Sequence, residues 1–385
     1  MLSTIICYKY YATQLFSNCK GIDLIKEVSI SAICHNIAQI RTVTNSKICA
    51  VVKCDAYGHG SLFLSKIIEK DIDCFGVATI DEAIALRQKG ITKDIIIFGY
   101  AYAHNAQDIS NYGLIQGVSS SKELLDLEQS CSKLGSGDCN KIRVHIKINT
   151  GLNRLGAKSE ELDDIANVLI ECTRITLSGL FTHFGTPQDK EYTLPQIKNF
   201  KRLATTFITK VERNLDLDKK SLVLHAGASN VLWNKLAHFD MVRIGLAMYG
   251  YGANGCDLNL HPAMMVYGKI IKIQKVASGE FVGYSKGYLA TRDILVATVD
   301  GGYGDGILRG VYKKAKVNNH IVDIIGHISM DMFSIDISNI LVNLNDTVYV
   351  LGNGLSATDI AKDANTIEYQ LLTAMKPRTT TVYID

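Results

Sequence analysis

Lys53 closes the apolar run 48–52, and a polar, glycine-containing turn, 54–60, follows at once. An amine at the carboxyl end of a buried strand is poorly placed for a purely structural lysine. It is well placed to condense with an aldehyde, because partial desolvation favours the neutral, nucleophilic amine. Taken alone, the pattern also fits a lysine whose stem packs on the strand end while its ammonium reaches water. Other residues at matching positions shift the balance. Lys147, Thr150 and Arg154 follow the apolar run that begins at Ile142. His183 ends the run GLFTHF at 179–184, His225 and Ser229 follow the run that begins near Ser221, and Arg243 and Gly245 lie in the run that begins at Met241. One strand-end lysine, two histidines, two arginines and a serine would therefore meet at one mouth, which weighs against a bland packing account of each.

These residues need a scaffold that brings distant strand ends together. From Val28 to about Gly250 the chain repeats a short apolar strand, a polar turn and an amphipathic helix. Strands are expected to begin near Lys47, Cys74, Asp94, Leu114, Ile142, Ile175, Ser221 and Met241, with helices over 81–88, 121–134, 160–171 and 196–214. Eight strands alternating with helices predict an α/β fold, a closed parallel (β/α)8 barrel whose carboxyl-end face gathers the residues above. After Tyr251 β-branched runs replace the helical period, at 265–273, 294–299, 321–328, 332–337 and 347–351. They predict a mainly β carboxy-terminal domain, closed by short helices over 357–363 and 367–375. The expected division is an extension over 1–26, the barrel over 27–255 and the β domain over 256–385.

Composition fits a soluble two-domain protein. The chain has 385 residues, 47% apolar and 21% charged, enough to bury a full core. A net charge of +3 with no basic run gives no electrostatic footprint for nucleic acid or a membrane surface. The ten cysteines show no metal-type spacing and read as reduced cytosolic thiols. The first twenty residues are too short and too broken by Lys9 for a membrane span and lack a basic n-region. They read as an extension ahead of the fold, with a targeting role left open.

The ordered set of motifs resembles the alanine racemase family. The resemblance runs from about Glu27 to the end and rests on AVVKCDAYGHG at 50–60, KINTGLNRLG at 147–156 and MVRIGLAMYG at 241–250. In the β domain it rests on VGYS at 282–285, GYGDG at 302–306 and SMD at 329–331. It implies a cytoplasmic pyridoxal 5′-phosphate (PLP) isomerase that interconverts L- and D-alanine and supplies D-alanine for cell-wall peptidoglycan. It also implies a homodimer with composite active sites, and no metal.

By resemblance, Lys53 binds PLP covalently and moves the α-proton on one face, and Tyr284 does so on the other. Racemisation needs an acid/base group on each face of a planar carbanion. His183 is the expected support for Tyr284, with His225 and Arg243 behind it. Arg243 is implied to face the pyridine nitrogen, and a guanidinium cannot give up its proton there. Tyr57, Ser229 and the backbone at Gly245 and Leu246 are implied to hold the phosphate. Arg154 and the backbone near Met330 would meet the substrate carboxylate, Tyr303 would stand at the entrance, and Lys147 matches a lysine that is carbamylated in some members. Two positions depart from the family: Pro377 stands where some members carry a tyrosine, and Ala228 where an asparagine is common beside the serine. The alternatives are a PLP racemase for serine or a broader range of amino acids and a non-catalytic PLP-homeostasis protein. The latter would lack the β domain. A decarboxylase would not need Tyr284.

Overall fold

The computed structural model describes residues 24–133, 141–215, 221–253, 255–375 and 378–385. The amino-terminal extension, apart from its last residues, and Pro377 lie outside the described residues. Strand β1 (Ile25–Ser29) comes first. The barrel follows as β2 (Lys47–Val51), β3 (Cys74–Val77), β4 (Asp94–Ile97), β5 (Ile115–Val118), β6 (Ile142–Lys147), β7 (Ile175–Phe181), β8 (Val223–Ala228) and β9 (Met241–Ile244). All pairs are parallel, and β9 closes on β2 with Cys49 opposite Arg243. The expected (β/α)8 barrel is therefore present, with strand starts within two residues of those read from sequence. Strands β3, β5 and β9 are buried at every position. Each is packed on the barrel interior and beneath the outer helices, so its sequence is apolar without alternation.

The helices are amphipathic for the same reason. The helix Ile30–Val43 buries Ala32, Ile33, Asn36, Ile37 and Ile40, one stripe at the 3.6-residue period, and Ser29 caps it through Ala32 N (3.1 Å). The helix Lys190–Glu212 begins six residues before the expected start at Gln196, because Asp189 caps Tyr192 N (3.0 Å) and Pro195 is accommodated inside. Two ladder irregularities bear on the site: β6–β7 shifts register at Val144/His145, and β8–β9 shifts between His225 and Ala228. Bulges of this kind re-aim side chains, and both carry a histidine.

The second domain is built on β10 (Met264–Val276), β13 (Ile294–Asp300), β14 (Lys314–Val317), β15 (His320–Ile325), β16 (Met332–Asp336), β17 (Thr347–Leu351) and β18 (Thr380–Ile384), with the two-residue pair β11 (Phe281–Val282) and β12 (Tyr288–Leu289) at its edge. The sheet order is β13-β16-β15-β14-β17-β10-β1-β18, and β10 also pairs with β13. Strand β1 runs antiparallel to β10 and parallel to β18. The boundary drawn at residue 27 thus falls inside a strand of the second sheet. Local pattern could not reveal this, because the partners of β1 lie more than 230 residues downstream.

Candidate active site

The polypeptide leaves β2 through an unusual turn. Cys54, Asp55, Ala56 and Tyr57 all take left-handed dihedrals, with φ of 52–54°. Such residues cost about 1–2 kcal/mol each, so the turn needs support. Glu82 accepts from Cys54 N (2.7 Å), Asp55 Oδ1 accepts from Ser61 N (2.7 Å), and the buried Lys26 ammonium of β1 donates to Gly58 O. His59, fully buried, stacks on Tyr249 at 4.3 Å and donates through Nδ1 to Ala56 O (3.0 Å). The turn leaves Lys53 at the strand end and brings the Tyr57 ring back to the barrel mouth.

Lys53 and Tyr57 line a cavity of about 630 Å³ at the carboxyl ends of the barrel strands, together with Lys147, Arg154, His183, Ser229, Arg243, Gly245 and Leu246. Every barrel residue singled out from sequence reaches this cavity except His225 and Thr150. His225 lies directly beneath Arg243, and Thr150 shares a 2.8 Å hydroxyl contact with Thr182. The four cations Lys53, Lys147, Arg154 and Arg243 line the cavity, and no aspartate or glutamate does among the described residues.

Arg243 is 6% exposed and has only neutral partners among the described residues. Its Nη1 donates to His225 Nδ1 (2.8 Å), and its Nη2 donates to Thr182 O (2.8 Å), Ala226 O (3.2 Å) and His183 Nδ1 (3.3 Å). Burial pushes the guanidinium down to about 10, which still leaves it charged at neutral pH. A guanidinium only donates, so Nδ1 of His225 must be an acceptor. His225 Nε2 then carries the proton and donates to His145 Nδ1 (2.8 Å). His183 likewise accepts at Nδ1, which leaves Nε2–H as its donor. Burial, then the Arg243 charge, holds His183 down to about 3. Burial does the same to His145, and His225 lies well below its ordinary value. The network assigns all three as neutral imidazoles with fixed tautomers. His145 was not singled out from sequence. Its signal, a histidine inside a barrel strand, is indistinguishable from a packed core group.

A second corner is shaped for an anion. Ser229 Oγ accepts from Gly245 N (3.3 Å) and Ala247 N (3.1 Å), so its own proton remains to be donated. A Cβ on Gly245 would lie 2.5 Å from Tyr57 Oη. Only glycine lets that hydroxyl rest against the backbone here. Tyr369, from the helix Glu368–Thr373, packs 5.6 Å from the Tyr57 ring and also lines the cavity. It is a further site residue that the sequence reading passed over. Lys147 is pulled down to about 8, by burial first and then by Arg154 and Arg243.

The matches to known proteins follow the same two-part division. The family model for the alanine racemase N-terminal domain matches residues 28–253, and that for the C-terminal domain matches 263–383. The chain belongs to the alanine racemase family. The alanine racemase of Streptococcus uberis is 32% identical over 371 residues, covering 93% of this chain and 97% of that protein. The Haemophilus influenzae alanine racemase is 32% identical over 369 residues, covering 93% and 98%. Among solved structures, the alanine racemase of Clostridium difficile 630 superposes with a TM-score of 0.84 at 31% identity, covering 94% of this chain and 96% of that one. The Bacillus anthracis alanine racemase with bound L-Ala-P superposes at 0.86 with 27% identity, covering 95% and 96%.

In this alanine racemase-family chain, three of the residues singled out from sequence stay away from the barrel cavity. Tyr284, Tyr303 and Met330 belong to the second domain, do not line the cavity and are 70%, 40% and 51% exposed. Tyr284 follows β11 in a short 3-10 turn in which Ser285 is left-handed (φ 55°).

Proposed function

We propose that this chain interconverts L- and D-alanine with PLP bound in the barrel cavity, as a homodimer in which each cavity is completed by Tyr284, Tyr303 and Met330 of a second copy. The observation that carries the reading is the cavity wall, with four cations, no carboxylate among the described residues, and a glycine-lined corner holding a serine and a tyrosine hydroxyl. This wall suits a ligand that carries both a phosphate and an amino-acid carboxylate. The exposure of Tyr284 supports a composite site, since a large aromatic left 70% exposed can be covered by a second copy.

Bound here, PLP would supply the electron sink that acidifies the amino-acid α-hydrogen. Tyr57, Ser229 and the backbone of Gly245 and Leu246 would hold its phosphate, and Arg243 would face its ring nitrogen. Lys53 Nζ would attach the cofactor and carry the proton on one face, and Tyr284 Oη of the second copy would carry it on the other. His183 Nε2–H, fixed by the Arg243 bond to Nδ1, can donate to the tyrosine oxygen and favour its anionic form. Arg154 and the Met330 backbone of the second copy would take the substrate carboxylate. At a pKa of about 8, Lys147 is half neutral near pH 8, where an ordinary lysine is almost wholly protonated. Its free amine can add carbon dioxide to give a carbamate and a proton, and the resulting anion would orient Arg154. No described helix is long and apolar enough to cross a membrane. We place the activity in the cytoplasm, supplying D-alanine for peptidoglycan. The second sheet and its exposed Tyr284 disfavour a non-catalytic single-barrel protein.

The test is to load the purified protein with PLP, reduce with borohydride and map the peptides, while a parallel sample converts L-alanine under polarimetry. The pyridoxyl group is expected on Lys53, and the rotation should decay to zero. A label on another lysine, or a rotation that never changes, would refute the proposal.

A further inference from the structure

A glycine-rich loop of the second domain is fastened to a second loop by backbone hydrogen bonds and by one guanidinium. Residues 301–306 follow β13, and residues 328–331 precede β16. They join through Gly301 N to Asp331 O (2.8 Å), Tyr303 N to Ser329 O (3.0 Å) and Gly304 N to Met330 O (2.9 Å). A Cβ on Gly302 would lie 2.3 Å from Ser329 O and 2.4 Å from Met330 O, so the backbones touch because that residue is glycine. Asp305 is buried beneath, its Oδ2 accepting from Gly302 N (2.8 Å). Arg378 completes the joint. Its Nε donates to Asp305 Oδ1 (2.5 Å), and its Nη2 donates to Asp305 Oδ2 (3.1 Å) and to Asp331 Oδ1 (2.7 Å). Thr379 follows with a hydroxyl bond to Asp305 O (2.9 Å).

The Asp331 half of this joint contributes little to stability, because both partners are about half exposed and such pairs are weak. Its evident effect is geometric. The two loops it ties display Tyr303 and Met330 side by side, both large and well exposed. Arg378 also follows the helix Glu368–Thr373, whose Tyr369 lines the barrel cavity of the same copy. We propose that Arg378 is the positioning residue of this two-loop platform, holding Tyr303 at the entrance of the second copy's cavity and the Met330 backbone where it meets the substrate carboxylate there. The inference rests on the composite-site reading above. A planar fork can bridge two carboxylates at fixed angles, whereas an ammonium cannot.

The experiment uses the full-length, PLP-loaded protein and the variants Arg378→Gln, Arg378→Lys and Asp331→Asn. For each, KM and kcat are measured with both alanine enantiomers, PLP affinity by absorbance titration, and Tm. Arg378→Gln should raise KM ~10-fold or more, the scale of a lost charge-assisted bond, with kcat changing far less and PLP affinity unchanged. Arg378→Lys should recover part of the KM, since one carboxylate stays paired. Asp331→Asn leaves the buried Asp305 pair intact, so it should raise KM while keeping the wild-type Tm, and it decides the matter if Arg378→Gln does not fold. A wild-type KM in Asp331→Asn, or a loss of PLP affinity in step with KM, overturns the proposal. Failure of the wild type itself to bind PLP or racemise alanine would instead sink the reading on which it rests.

Discussion

Acidification should unfold this protein well above the pH at which its carboxylates titrate. His59, His145 and His183 are held down to about 3, and His225 lies well below its ordinary value, in each case mainly because burial disfavours the charged ring. Arg243 adds to this at His183, His145 and His225, and Lys26 adds to it at His59. Folded values lie below unfolded ones, so the unfolded chain binds more protons. Stability is therefore complete above ~6.5 and is lost as pH falls through the window toward 3. One such histidine held near 3 loses about 2 kcal/mol between pH 7 and pH 5, so His59, His145 and His183 together lose about 6 kcal/mol, and His225 acts in the same direction. That is comparable with the whole stability of a typical domain, about 5–15 kcal/mol. Glu123, raised by burial, runs the other way and offsets a little. The assay is a urea titration at pH 7, 6 and 5, followed by fluorescence of the single tryptophan, Trp233. Its indole N–H donates to Pro187 O (3.1 Å) at the cavity wall, so it reports this region. The midpoint should fall steeply between pH 6 and 5, and His59→Gln should flatten the slope. A midpoint that stays level from pH 7 to 5 would refute the assignment of four neutral, buried imidazoles.

Two substitutions probe the two halves of the site. Gly245→Ala would press a Cβ on the buried Tyr57 hydroxyl, 2.5 Å away. Overpacking of about 1–3 kcal/mol should weaken PLP binding ~5- to 150-fold in an absorbance titration, and unaltered affinity would remove Tyr57 and Gly245 from the phosphate corner. Tyr284→Phe should leave stability intact and slow racemisation by ~10²–10⁴. In deuterated water the variant should keep α-hydrogen exchange with D-alanine and largely lose it with L-alanine. Equal loss from both enantiomers, with PLP still bound, would rule out the two-face division.

The parts of this molecule that were legible in advance depend on periodicity. The eight barrel strands could be counted because each is a short buried run closed by a turn, and Thr347–Leu351 and Ala357–Asp363 fell where the pattern put them. Strands β14 and β18 did not stand out. β14 is four residues with lysines at alternate positions, and β18 is five residues at the carboxyl end with no apolar alternation ahead of it to mark its start. The strand-end chemistry at Lys53, Arg154, His183 and Arg243 could be anticipated because a parallel barrel gathers strand carboxyl ends on one face.

By itself the sequence determined which residue types could meet at one mouth, and in what order the strands would bring them there. Only the tertiary structure decided how they are charged and aimed. Whether a histidine is neutral depends on how completely its neighbours exclude water, and those neighbours come from strands as far apart as Phe98 and His225. The donor role of His183 follows from a bond to Arg243, sixty residues away. The left-handed turn after Lys53 is held by Glu82 and by Lys26 of a strand belonging to the other sheet. Strand β1 could be assigned only by its partners, since β10 and β18 lie far along the chain. Local pattern records what each segment can bury. It does not record which distant groups will share that burial, and in this site those groups set charge, tautomer and strain.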